Sequence, residues 1–568
     1  MPERRTKIVS LAEAAAFIPD GATIAVGGLS YFNAPMSLVR GLIRRNARNL
    51  TLITAAVTGI QADLLIAAGC VRRIFTPYVA FEELGLAPAF RRAIEKHEIE
   101  LVEMGEAFLA FGLKAAASGA PYYPLPLALA ASDSIRHNPL YRIARDPFAD
   151  RDVLCVPALK PDFTLLHAQI GDSFGNLVLA PAPTMDHLLA RASRRVIATC
   201  DELQENPAMS GHGGQPSIPG AFVAALVPLL GAARPTSSPR FYGVDRAEFK
   251  RYAAAMKSDE TRRAYFDSCA SSSAPEAGYL RSLPALPPED SAPADAAPLA
   301  PDAPIGRAEL IASVIAGAVR DGEFTAAGTG CWEVAAGLRL AQLTHAPNLT
   351  FTLGGTAAVN HRLRYLPVSI NTEQALAACE ARIPLEDLFD LELAGQFDVM
   401  FASALQIDGY GNLNLACIGP YEKPVFRGPG TVGLEFAPCA RRIVAFFRQH
   451  TKNVFVEKVD FISGIGYGTG PDSRAQWGIP DSTGPALVVS NLAVMDYHPE
   501  TLRMRLKSVH PGVSISEVLA NTGFELHVPA TVPETPLPTA EELLLLRTEI
   551  DRGGMLRKLI SWRGESRR

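Results

Sequence analysis

"DGATIAVGGLSYFNAPMSLVRGLIRRNARNLTLI", residues 20–53, decides the fold. The apolar run TIAV ends in Gly27 and Gly28, the pattern of a buried strand opening into a tight loop. Met36, Val39 and Ile43 then recur on one helical face, with Leu38 and Leu42 beside them. NLTLI (49–53) returns as a second strand. Strand, glycine loop, helix and strand make a βαβ unit, which predicts a parallel sheet with a right-handed crossover.

The same pattern occurs again. DGEFTAAGTG (321–330) and NLTFT (348–352) repeat DGATIAVGG and NLTLI, with Asp-to-Asn spacings of 27 and 29 residues. DSFGNL (172–177) matches DGYGNL (408–413), and SRRVIA (193–198) matches ARRIVA (440–445). Matched blocks in one order indicate an internal duplication. Between the halves, residues 283–305 hold seven prolines among alanine and acid, a composition that reads as a linker. The expected division is 1–282, linker 283–305, and 306–568. Further apolar runs, VLCVP, FTLLH, DVMFA, RIVAFF, NVFVE and ALVVS, are expected strands. The fold class is α/β, as two duplicated open α/β domains. Thr539 and Glu542 form a capping box that starts a last helix.

Composition excludes several classes. The 568 residues exceed one core, 48% are hydrophobic and 20% charged, and the net charge is −5. No Lys/Arg block points to nucleic acid. The eight cysteines are scattered without CxxC, so neither a disulfide framework nor a metal site is expected. No apolar run is long enough to span a membrane, and the expected location is cytoplasmic.

Three glycine loops follow predicted strands: Gly27-Gly28, Gly328-Thr329-Gly330 and Gly354-Gly355. Glycine lets backbone N–H groups approach a ligand's developing negative charge, and such loops fall at the carboxyl ends of strands, where open sheets bind ligands. None fits GxGxxG or a Walker A pattern, so nucleotide binding of those kinds is not indicated.

The whole chain resembles the family I CoA-transferases, in the glutaconate CoA-transferase-like branch, with alpha and beta subunits fused. In the first half the motifs are LLIAAGCVRRI (64–74), FEELGLAPAFRRAIE (81–95), GLKAAASGAPYYP (112–124) and HAQIGDSFGN (167–176). In the second they are LAQLTHAPNLT (340–350), DGYGNLN (408–414), VFVEKVDFISGIGYG (454–468) and MRLKSVHPGVSISEVLANTGFEL (504–526). The resemblance implies the CoA-transferase fold, an active site between the halves, a coenzyme A thioester as substrate, a carboxylic acid acceptor and no permanent cofactor. It implies homo-oligomers, too. Gly27, Gly28, Gly328, Gly330, Gly354 and Gly355 would form the oxyanion and CoA-binding loops.

In that family a glutamate of the beta half, after the NLT strand, attacks the acyl-CoA. Here the corresponding residues are Leu353, Gly354, Gly355 and Thr356, with Glu333 and Glu373 the nearest carboxylates in sequence. Members without the glutamate resemble steroid ring-opening CoA-thioester hydrolases, whose retro-Claisen chemistry uses a carboxylate of the alpha half. Glu106 and Glu103, just ahead of an expected amphipathic helix, are the catalytic candidates as general base. Glu435 aligns with a glycine-rich CoA loop, His361, Arg362 and Arg364 are candidates for phosphate or carboxylate binding, and His167 and Gln169 sit at a strand end. A non-catalytic acyl-CoA-binding protein is the reading from another class.

Overall fold

The computed structural model describes residues 4–180, 184–205, 217–271, 275–288, 303–328, 330–367, 369 and 371–564. The stretch 20–53 forms the predicted unit: Thr23–Val26 and Leu50–Thr54 are parallel strands joined through helix Met36–Arg44. Ile24, Ala25 and Val26 are fully buried, as a central parallel strand covered on both faces requires. The helix turns Met36, Leu38, Val39 and Leu42 inward. Arg40 goes with them and is neutralised by Glu276 at 2.6 Å.

Among the described residues, the first sheet runs Val223–Pro228, Arg195–Leu203, Phe163–Gly171, Thr23–Val26, Leu50–Thr54, Val71–Thr76, Glu100–Glu103, with Leu177–Val178 folded back on Phe163–Gly171. The second begins with the short strands Ala381–Arg382 and Ala358–Val359. It continues through Thr350–Leu353, Phe324–Ala327, Val399–Ala402, Arg442–Phe447, Gly484–Ser490, Ala493–Tyr497 and Met504–Val509. Five consecutive strands correspond, all parallel. The two NLT strands flank the two central strands, and Phe163–Gly171, Arg195–Leu203 and Val223–Pro228 match Val399–Ala402, Arg442–Phe447 and Gly484–Ser490. The repeat in sequence is thus a repeat of topology.

It extends to single turns. Asp172 Oδ1 accepts the N–H groups of Phe174 and Asn176, both at 2.9 Å; Asp408 Oδ1 accepts those of Tyr410 and Asn412 at 3.0 and 3.1 Å. Gly175 and Gly411 take φ of +82° and +75° between them, the left-handed conformation for which DxxGN keeps a glycine.

Two expected strands fall elsewhere. Asp152–Pro157, holding VLCVP, is the middle of a separate antiparallel sheet with Tyr122–Pro126 and Arg142–Arg145. NVFVE is not a strand. Phe455 makes a lone bridge to Ile407 and packs on Phe447 and His450, burying the apolar run without a ladder. The Thr539–Glu542 capping box does start helix Ala540–Leu545.

All eight cysteines are free thiols. Among the described residues no helix is long and apolar enough to cross a membrane. No group of three or more His, Cys, Asp or Glu in them could hold a metal ion.

Candidate active site between the two halves

Helix Glu106–Ser118 builds the seam. Gly105 precedes it and left-handed Gly119 ends it. An amphipathic helix was the expectation, but Glu106 through Leu113 are all buried, because the second half covers the face that the first leaves open. Phe108 and Phe111 share one apolar core with Phe389 and Phe436 of the second half.

Glu106 is the first residue of this helix and 7% exposed. It fits only because Gly433 has no side chain: a Cβ there would lie 2.9 Å from Glu106 Oε2. Burial, then the charges of Glu392 and Glu435, pushes its carboxyl well above the ordinary range. Glu392, on helix Leu385–Leu393, lines a small cavity with Phe397, Val399 and Phe436, and burial raises it to about 8. Burial and its acidic neighbours thus favour the protonated form of Glu106, a group fit to hold or move a proton.

Glu435 sits in the 3-10 turn Val432–Cys439 and crosses the seam. Its Oε1 accepts the N–H of Ala107 at 2.5 Å and of Phe108 at 3.3 Å, while Tyr141 donates to Oε2 at 3.4 Å. It supplies the cap that Gly105 cannot, and Gly105 must lack a Cβ, which would fall 2.2 Å from Glu435 Cδ. Burial raises Glu435 to about 7.

Glu103 has a different position from the one expected. It ends strand Glu100–Glu103, fully buried, and its Oε2 pairs with Arg427 at 2.8 Å and accepts the Tyr421 hydroxyl at 3.2 Å. Both partners belong to the second half. A carboxylate committed to a buried guanidinium is a poor base, so the structure separates Glu103 from Glu106 in character.

The glycine loops also differ from expectation. The Gly27 N–H donates to Leu165 O at 3.0 Å and the Gly28 N–H to Asp186 Oδ1 at 2.8 Å. Both amides are used inside the fold, so in this arrangement neither is available to an oxyanion. Asp186, raised by burial to about 6, is a residue that sequence reasoning missed; no motif marks it. Gly330 offers its carbonyl to Arg448 at 2.8 Å, and Arg448 is paired with Glu333 at 2.6 Å. Glu333 is thus a structural ion rather than a displaced nucleophile. Gly354 donates to Ala327 O at 2.6 Å, and Gly355 turns with φ +85° beneath Asn371.

Also missed was Glu82, in the FEELGLAP stretch. It lies half-buried in the 3-10 turn Glu82–Leu84 with φ +48°, a conformation costing a non-glycine residue on the order of 1 kcal/mol. Ser369 and Asn371 of the second half donate to its carboxylate, the latter at 2.9 Å.

The remaining candidates are engaged locally. Arg362 pairs with Glu380 and Arg364 with Glu549. His361 is buried, which lowers it to about 4, and its Nδ1 accepts the Leu363 N–H. His167 contacts Asp201 at 3.0 Å and Thr199 at 2.9 Å, and Gln169 donates to Asn33 at 2.7 Å, a satisfied interior network.

Two duplicated α/β halves thus meet along a seam of buried carboxylates and glycine turns. The Coenzyme A transferase family model matches residues 8–228 and 309–521, and the chain belongs to that family. One of the two 3-oxoadipate CoA-transferase polypeptides of Pseudomonas knackmussii is 32% identical over 241 residues, 42% of this chain and 91% of the relative. The cholesterol ring-cleaving hydrolase IpdB polypeptide of Mycobacterium tuberculosis is 34% identical over 216 residues, 38% and 82% of the two chains. An uncharacterised protein of Archaeoglobus fulgidus is 32% identical over 269 residues, 47% of this chain but only 59% of its own length. The crystal structure of an acyl-CoA transferase apoenzyme from Escherichia coli O157:H7 shares the fold, with a TM-score of 0.68 at 16% identity, covering 95% of this chain and 97% of that one.

Proposed function

We propose that the chain moves coenzyme A between carboxylic acids, with an acyl-CoA thioester as donor. The observation that carries this is the seam. Carboxyl groups of the first half, Glu82 and Glu106, meet Ser369, Asn371 and the turn at Gly433 of the second, and neither half alone forms the site. Transfer between acids needs a carboxylate nucleophile, since an acyl group passes from thioester to acid through a mixed anhydride. The seam offers carboxylates in low-polarity surroundings, where such a nucleophile is strengthened. A second copy of the chain is the expected partner, and sedimentation of the whole protein tests it.

One observation favours a second reading, hydrolytic carbon–carbon cleavage of a CoA ester. Its surroundings favour the protonated form of Glu106, the group through which a proton would be exchanged with water or substrate. The similarity to the ring-cleaving hydrolase supports the same alternative.

The deciding experiment supplies a panel of aliphatic, dicarboxylic and cyclic acyl-CoA thioesters with and without acetate or succinate, and follows free thiol and new CoA ester. Acceptor-dependent CoA exchange without thiol release is expected. Consumption of water with a shortened or ring-opened thioester, independent of acceptor, would replace transfer by cleavage. Binding without either reaction would leave an acyl-CoA-binding protein.

A further inference from the structure

We propose that Glu82 is the catalytic nucleophile of this enzyme, the carboxylate that carries CoA between donor and acceptor. This rests on the transfer reading above.

Several buried glutamates among the described residues fall into distinct groups. Glu103, Glu276, Glu309 and Glu333 are each paired with an arginine within 2.8 Å, through Arg427, Arg40, Arg547 and Arg448. Each is held as an ion by its guanidinium partner. Glu435 caps a helix, and Glu106 is deep in the seam.

Glu82 differs. Its carboxylate is held by neutral donors, the Ser369 hydroxyl and the Asn371 amide. Arg246, whose charge it feels, is paired with Glu83 at 3.4 Å. Unlike Glu106 and Glu435, Glu82 is only partly buried. Burial raises its pKa above the ordinary carboxylate range, which makes the ionised form the stronger nucleophile.

Its position joins loops from both halves. Asn371, which donates to Glu82, also lies against Gly355: a Cβ on Gly355 would fall 2.0 Å from Asn371 Oδ1. The Gly354–Gly355 turn has no carboxylate of its own, and Glu82 reaches its edge from the opposite half. From the Gly27–Gly28 loop comes Ser30, 2% exposed, whose hydroxyl lies beside the carboxylate. A hydroxyl there can donate to an oxygen that gains charge during reaction. The left-handed backbone at Glu82, φ +48°, is what aims the side chain across the seam.

The steps balance. A Glu82 carboxylate oxygen bonds to the thioester carbonyl carbon, the C–S bond breaks, and the electron pair leaves as CoA thiolate, giving an acyl–glutamyl anhydride. The thiolate attacks the glutamyl carbonyl, forming the Glu82–CoA thioester and releasing the donor acid. The acceptor carboxylate attacks this thioester and the thiolate returns to the acceptor's acyl carbon, leaving Glu82 free.

The test uses the wild-type chain. It is incubated with the acyl-CoA panel, reduced with borohydride or cleaved with hydroxylamine, and peptide-mapped by mass spectrometry. A donor-dependent modification at Glu82 is expected. Glu82→Gln is expected to lose CoA exchange roughly a thousandfold or more while still binding CoA esters. Exchange with the modification at another carboxylate overturns the assignment and leaves the transfer reading standing. No modification and no exchange, with the thioester hydrolysed or ring-opened, overturns both. Should Glu82→Gln fail to fold, mapping of the wild type still decides, since a merely structural clamp acquires no CoA.

Discussion

Glu435 Oε1 accepts the Ala107 N–H at 2.5 Å, so a residue of the second half closes the open end of a helix of the first. The helix that carries Glu106 is thus incomplete until the chain has folded on itself. Capping and docking are one event.

Removing the cap therefore has a measurable cost. Glu435→Ala is expected to destabilise the protein by about 1–2 kcal/mol, with Glu435→Gln closer to wild type because its amide oxygen can still accept. Thermal or denaturant unfolding checks it. Equal stability of Glu435→Ala and wild type would mean that solvent caps the helix as well.

Stability should fall as pH rises from the ordinary carboxyl value through neutrality and just beyond it. Glu435 and Glu392 are raised to about 7 and about 8 against an ordinary 4.5. Folding favours their protonated forms, so that stabilisation is complete below the unfolded value. It is lost as pH rises through about 7 for Glu435 and about 8 for Glu392. Melting temperatures measured from about pH 4 to about pH 9 should decline and level off above about pH 8, and Glu392→Gln should flatten the decline. A flat wild-type profile would show that these carboxyls titrate normally.

The Arg427–Glu103 pair makes a sharper test of the seam. Arg427→Ala strands a fully buried carboxylate and is expected to cost about 3–5 kcal/mol. Adding Glu103→Leu should restore much of that loss, since replacing both members removes the unpaired charge. Unfolding of the single and double variants reads the coupling directly.

Glu106→Gln separates the two chemistries. If the chain cleaves CoA esters with water, the variant should lose about 10²–10⁴-fold in kcat. If it transfers CoA, the loss should be smaller than that of Glu82→Gln. Steady-state kinetics of both variants on one substrate settles the ranking.

Gly355→Ala should be harmful in either case. Its added methyl meets Asn371 Oδ1 at 2.0 Å, and φ +85° is unfavourable for alanine. Reduced exchange with a lowered melting temperature is expected.

Much of the fold was legible in sequence because buried parallel strands leave a local record. TIAV, NLT and the DxxGN turns are each set by near neighbours, and they recur in both halves. The site was harder to read. The place of Glu106 was legible, because a carboxylate just ahead of an apolar helix falls at its first turn. The different character of Glu103, three residues earlier, could not: Arg427 and Tyr421 are more than three hundred positions away. Gly27 and Gly28 look like free amides until Asp186 is seen beneath them. Glu82 was hidden in plain text, since neither its left-handed backbone nor its donors Ser369 and Asn371 have a local signature.

Buried ions and helix caps shared between the halves make each half the completing ligand of the other. Released separately, one would expose an unpaired guanidinium and the other an unpaired carboxylate, along with the apolar faces that join them. Carrying both on a single polypeptide enforces equal stoichiometry and replaces a bimolecular search by a tethered encounter at high effective concentration. A surplus of either piece, with its aggregation hazard, cannot arise.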